Sequence, residues 1–374
     1  MTDEFGFDYD LLKELTEARG VPGYEDRIRE IVRRELRDVT DEISADGMGN
    51  VVATRHGDAD YEVAIATHMD EIGFMVRHIT DEGFAELDAL GGWDPRVLRA
   101  QRVTIHTESG DGDVPGVLGS VPPHTMDADE REKTLGVEDV HVDLGLDGES
   151  AHERVRPGDL VTMDQRTEVV GEHVTGKALD DRVCLFAMIE AARRLADGDA
   201  DGDDAATSNG NAGSGDGPEP TIHFAATVQE EVGLRGAKAL GVDLDPDLAI
   251  ALDVTVANDV PGFETGEHVT ELGEGVAIKL KDSSVITNPK VTNRLRDLAD
   301  ERGIPSQLEV LPAGGTDTAG FQTSAGAKPV GALSVPTRYL HTVTESAHHR
   351  DVEATIDLLT AALATETGNH DYTL

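Results

Sequence analysis

Apolar residues recur at spacings of three and four from Tyr9 to Arg19 and again from Tyr24 to Val39, with glycines near the ends, which predicts two opening helices. Short apolar runs at Asn50 to Arg55 and Glu62 to Thr67 then predict strands. From about Phe74 to Asp164 the texture changes to short β-rich runs, among them QRVTIHT, GVLGSV and DVHVDLG, separated by Gly, Pro and Asp turns. This stretch, residues 74–164, reads as a small β-barrel-like domain inserted into a larger one made of residues 1–73 and 165–374. Beyond it, Arg182 to Ala196 carries a strong helical pattern, and TIHFAATVQ and DLAIALDV are strand-like. Further helices are expected near Lys290 to Arg302 and Asp351 to Ala364. The βα alternation predicts an α/β fold, a mixed sheet covered by helices. Residues 197–220 are rich in Gly, Asp, Ser and Asn, cannot bury apolar surface, and are expected to form a flexible acidic loop.

A length of 374 residues suits about two domains. Composition adds one strong fact: 32 Lys and Arg against 74 Asp and Glu give a formal charge of −42. Such a surface repels nucleic acid. Like charge of this density opposes the compact state at ordinary ionic strength, whereas in molar salt the Debye length shrinks to about 3 Å. A salt-loving source is therefore expected. With Cys184 as the single cysteine, no disulfide or thiolate metal cluster can form within the chain, so a metal would sit on carboxylates and imidazoles. The opening residues lack a signal-peptide pattern and no run of eighteen apolar residues occurs, so a cytoplasmic protein without a membrane partner is expected.

Candidate chemistry lies at strand ends. His-x-Asp occurs three times, at His68 with Asp70, His141 with Asp143, and His349 with Asp351. The first follows the buried-strand run EVAIAT, at the carboxyl end of a strand, where open α/β sheets bind ligands. The second falls within a strand of the insert and the third enters what reads as a surface helix, so both are set aside. Asp180 and Asp181 stand just before a strong helix, Glu230 and Glu231 close one strand, and Asp253 closes another. Carboxylates gathered at such ends need a cation, because buried charge is costly unless paired or coordinated; capping is the simpler role for Asp181. Among fourteen histidines, His341 follows the strand-like ALSVPTRYL, whereas His348 and His349 sit in the polar stretch ESAHHRD; spacing does not decide between them. Ligands of this kind suit zinc, cobalt or manganese, and one carboxylate shared by two ions places them about 3.5–4 Å apart.

The ordered motifs THMDEIGFMV (67–76), LGGWDP (90–95), VEDVHVDLG (137–145), GKALDDR (176–182), QEEVGLRGA (229–237), ALDVT (251–255), GGTDTAGF (314–321) and VPTRYLHT (335–342) run almost the whole chain. In these the chain resembles the tetrahedral (TET) aminopeptidases, relatives of glutamyl and deblocking aminopeptidases, some of which are called endoglucanases. The resemblance implies a zinc-peptidase-like catalytic domain holding two divalent ions, zinc or cobalt. It implies that Asp180 bridges them, that His68 and Asp253 complete one site, and that Glu231 and His341 complete the other. Glu230 is then the general base and Asp70 the residue that orients His68. It further implies a dimerising insert, dimers that assemble into a tetrahedral dodecamer, and short peptides as substrates. The acidic loop, Cys184 and Thr342 depart from the family pattern without touching a ligand.

The expected function is a metal-dependent aminopeptidase in which an acidified water between two ions attacks the scissile carbonyl. A related two-metal carboxypeptidase or N-acyl amino acid deacylase is the alternative. An endoglucanase, needing two carboxylates astride a sugar and no metal, or a noncatalytic assembly protein, ranks lower.

Overall fold

The computed structural model describes residues 5–107, 112–127, 135–198 and 219–374. Most of the acidic loop expected at 197–220 lies outside the described residues.

The opening helices form as the periodicity predicts. Helix α1 (Tyr9–Glu17) starts at Asp8, whose side chain accepts from Leu11 N at 3.1 Å, and it buries Tyr9, Leu12, Leu15 and Thr16 on one face. Helix α2 (Asp26–Leu36) buries Ile28, Ile31, Val32 and Leu36. Strands β1 (Glu42–Ala45), β2 (Val51–Arg55) and β3 (Glu62–His68) follow. The chain then enters a closed barrel of β4 (Gly73–Ile79), β5 (Phe84–Leu90), β6 (Arg102–His106), β7 (Val114–Leu118), β8 (His141–Asp143) and β9 (Leu160–Met163). Alternate residues such as Val103 and Ile105 point into a separate barrel core with Phe74, Leu87, Val142 and Val161. Two short helices, α3 (Pro95–Leu98) and α4 (Gly148–Arg154), join barrel strands.

On leaving the barrel the chain forms a hairpin, β10 (Glu168–Val170) and β11 (His173–Gly176), then helix α5 (Leu179–Asp197). Strand β12 (Thr221–Thr227), helix α6 (Arg235–Leu244), β13 (Leu248–Val256), β14 (Val276–Lys281), helix α7 (Pro289–Arg302) and β15 (Ser306–Val310) come next. Helix α8 (Asp317–Thr323), β16 (Val330–Arg338), β17 (Glu345–His348) and helix α9 (His349–Ala364) complete the domain. Helix α7 matches its sequence signals: Asn288 caps it, Pro289 opens it, and Gly303 in the left-handed region ends it.

These strands make one mixed sheet of eleven, ordered β1-β2-β12-β3-β13-β16-β17-β11-β10, with β14 and β15 branching from β16. The central four, β12, β3, β13 and β16, are parallel. Being covered on both faces, they read as continuous apolar runs. Register sets the site: Thr227 lies opposite His68, and Asp253 opposite Ser334. Strands β3 and β12 end at His68 and Thr227, whereas β13 and β16 run on to Val256 and Arg338, so Asp253, expected to close its strand, lies within β13.

One sequence expectation needs correction. Helix α9 is not a surface helix: Val352, Ile356, Leu358, Leu359 and Leu363 are buried, and Asp351 is buried too. Its carboxylate accepts from the backbone N–H of Gly273 and Gly275, both at 2.8 Å.

Candidate metal centre

The end of β3 carries His68 into the interior, where only 2% of its side chain is exposed. Its Nδ1 lies 3.0 Å from the backbone carbonyl of Asp70, so Nδ1 donates there and Nε2 is the nitrogen turned into the centre. That Nε2 faces Asp180 Oδ1 at 3.1 Å. The other oxygen of the same carboxylate, Oδ2, faces His341 Nε2 at 3.2 Å. Asp180 thus presents one oxygen to each of two imidazoles.

Asp70, two residues beyond His68, spends its carboxylate elsewhere. Oδ1 accepts from Glu230 N at 3.0 Å and Oδ2 from Glu231 N at 3.1 Å, while Nδ1 of His68 is 3.6 Å from Oδ1. The orienting contact to His68 comes from the Asp70 carbonyl, and the side chain pins the turn carrying both glutamates. In that turn Gln229 takes a left-handed φ of 56° and Gly233 one of 118°. Glu230 Oε2 lies 3.9 Å from His68 Nε2, and Glu231 Oε2 lies 3.8 Å from His341 Nε2.

His341 is held quite differently. It sits in the turn after β16 with φ of 57°, its N–H donating to Glu345 Oε1 at 2.8 Å. Its Nδ1 lies 2.8 Å from the carbonyl of Gly92, in the loop that follows barrel strand β5, and its side chain is 37% exposed. Asp253, within β13 three residues before its end, is buried.

Among the described residues, ligand atoms of His68, Asp181 and Asp253 lie within 4.8 Å of one another, as do those of His68, Asp180 and Glu231. Asp181 is therefore not a helix cap. It is wholly buried, its Oδ2 accepting from the Thr67 hydroxyl and from His68 N, and its Oδ1 has no partner. Sequence reading also missed Glu345, whose Oε2 accepts from Asp180 N at 3.1 Å, and Asp317, which is buried against the Thr227 hydroxyl. The only available signal for Glu345 was its position after His341, and for Asp317 its place in GGTDTAGF.

The electrostatics ask for cations. Burial, with repulsion from neighbouring carboxylates, pushes Asp181, Glu231 and Glu345 up to about 8 and holds Glu230 and Asp253 well above the usual carboxylate range. Burial would depress His68 and His341, but the facing Asp180 carboxylate overrides it, raising His68 well above its ordinary value and His341 to about 10. Asp180 itself is lowered, because the two imidazoles outweigh its burial. Buried oxygens Asp181 Oδ1 and Glu231 Oε1 have no hydrogen-bond partner. Unpaired buried carboxylates of this number are costly, and divalent ions would offset that cost.

Comparison with known proteins decides the family. A profile described as M42 glutamyl aminopeptidase matches residues 49–358. The chain belongs to the M42 glutamyl aminopeptidase family. It is an aminopeptidase. The chain is 36% identical to a lysyl aminopeptidase of Pyrococcus furiosus, over 95% of this chain and 96% of that one. Among solved structures it is similar to a TET aminopeptidase from a marine sediment thaumarchaeote, with a TM-score of 0.87, 33% identity, and 95% of each chain covered. It is also similar to a Pyrococcus horikoshii peptidase that can assemble into a tetrahedron or a large octahedral shell. That match has a TM-score of 0.80 and 34% identity, covering 96% of this chain and 99% of the other.

Proposed function

We propose that this aminopeptidase removes N-terminal residues from short peptides at a centre for two divalent ions, zinc or cobalt, with Glu230 as general base. The observation that carries the reading is Asp180, whose two oxygens face His68 and His341 separately. His68, Asp180 and Asp253 would hold one ion, and Asp180, Glu231 and His341 the other. Asp181, close to His68 and Asp253, backs the first of these sets.

When bound, two such ions supply an acidified water and polarise the scissile carbonyl. Glu230, whose Oε2 lies 3.9 Å from His68 Nε2, would take the proton of that water and hand it to the leaving amine. Asp70 keeps the two glutamates in place by accepting both of their N–H groups, so that one is free for proton transfer while the other faces His341. Glu345 fixes the backbone of Asp180 and of His341 together. Dimerisation through the barrel, assembly into a tetrahedral dodecamer and a cytoplasmic site of action belong to the same reading.

Glu230→Gln tests it. The variant should keep its metal content and oligomeric state while turnover on aminoacyl chromogenic substrates falls at least about a hundredfold, the scale of a lost general base. Unchanged turnover removes Glu230 from the mechanism. Activity confined to N-acyl amino acids would instead establish the deacylase alternative.

A further inference from the structure

A second cluster of metal-binding side chains stands one strand's length behind the centre, among histidines that sequence reading set aside. Antiparallel β11 and β17 pair in a four-residue ladder: Gly176 faces Glu345 at one end and His173 faces His348 at the other. At roughly 3.3 Å per residue, the far end is about 10 Å from the Glu345 that holds Asp180 and His341. There, ligand atoms of Glu172, His348 and His349 all lie within 4.8 Å of one another. His348 Nε2 is 3.7 Å from Glu172 Oε2. The His348 and His349 rings stack with centroids 4.9 Å apart, and His173 meets His348 edge-on at 5.6 Å.

We infer that Glu172, His348 and His349 form a separate site for a single divalent transition metal such as zinc. Two imidazoles and one carboxylate are a ligand set zinc accepts, with a fourth position left to water. An independent observation supports it: His349 Nδ1 is buried and has no hydrogen-bond partner. Burial also keeps His173, His348 and His349 below their ordinary pKa, so the rings are neutral at pH 7. The backbone is already gathered there, since His349 N donates to the Glu172 carbonyl at 3.2 Å.

Two features limit the affinity. Arg350 Nη2 approaches Glu172 Oε1 at 3.4 Å and competes for the carboxylate. His348 Nδ1 accepts the helix-capping bond from Arg350 N at 3.1 Å, so its proton sits on Nε2, toward Glu172. Ligation through Nε2 moves that proton to Nδ1 and gives up the cap, a loss of about fivefold for one ordinary hydrogen bond. The site is therefore weaker than the catalytic one and fills after it. Filled, it ties the turn at Glu172 to the start of α9 and stiffens the ladder that ends at Glu345.

The test is zinc uptake by the full chain in high salt, measured as zinc per chain across an equilibrium-dialysis titration with zinc chloride. Wild type is expected to take up one more ion than His349→Ala. Glu172→Gln, in an exposed turn, should shift that last step to at least about tenfold higher zinc. Because only the difference between wild type and variants is read, the result does not depend on how many ions the Asp180 centre holds. A wild type that takes up neither zinc nor cobalt at Asp180 would sink the proposed function and leave this inference standing. Should His349→Ala fail to fold, Glu172→Gln alone decides. Identical titrations for wild type and the folded variants overturn the site.

Discussion

His68 and His341 meet the two oxygens of one carboxylate, yet they are held by different means. His68 ends a central parallel strand, is almost wholly buried, and takes its orientation from the carbonyl two residues on. His341 sits in a left-handed turn, is more than one-third exposed, and is oriented by Gly92 from the loop after β5. One half of the centre is thus a product of sheet register and the other of loops from the large sheet and the barrel that meet each other. Strand register leaves few alternatives, because a one-residue slip would turn His68 to the other face of the sheet. A loop-held ligand can be displaced without unfolding the core, so the His341 side is where substrate access and metal exchange are expected.

The largest effect should come from removing what the two halves share. Asp180→Ala is expected to lose both ions and to lower turnover by more than the roughly hundredfold that loss of a merely orienting partner costs. If metal analysis showed one ion retained at full affinity, the shared-carboxylate picture would fail. Next in size is the contrast between the imidazoles. His341→Gly suits the local φ of 57°, and added imidazole should restore part of its activity. His68→Gly should not respond, because solvent does not reach that position; equal rescue of both would erase the distinction.

A smaller change is expected for Glu345→Gln, which keeps the side-chain volume but cannot accept from both Asp180 N and His341 N. Metal affinity should fall about ten- to a hundredfold, as for other partners that orient ligands, with kcat at saturating metal little changed. The smallest effect concerns the chelated, metal-free chain. Asp181, Glu231 and Glu345 are raised from 3.8 or 4.5 to about 8. Raised groups stabilise below their unfolded pKa and lose that contribution as pH climbs through the folded one. Tm should therefore drop between about pH 4 and pH 8 without metal and hold steadier with it; a metal-free Tm that rises over that range would contradict the carboxylate crowding.

Sequence by itself determined the central strands, the helices around them and the candidate ligands that follow apolar runs. Apolar runs in parallel strands and the three- and four-residue spacing of helices are local patterns. His68, Glu230, Glu231 and Asp253 could be singled out because each follows such a run. His341 could not be separated from His348 and His349 by spacing, and only the ordered family motifs chose it. Asp181 was read as a cap, Asp351 was set on a surface, and Glu345 and Asp317 went unremarked. Their burial depends on partners more than sixty residues away in the chain, such as Thr67 for Asp181 and Gly273 for Asp351. Only the tertiary structure decided those positions. A carboxylate's role is set by which N–H, hydroxyl or imidazole folding brings to it, and that choice leaves no periodic trace in the sequence.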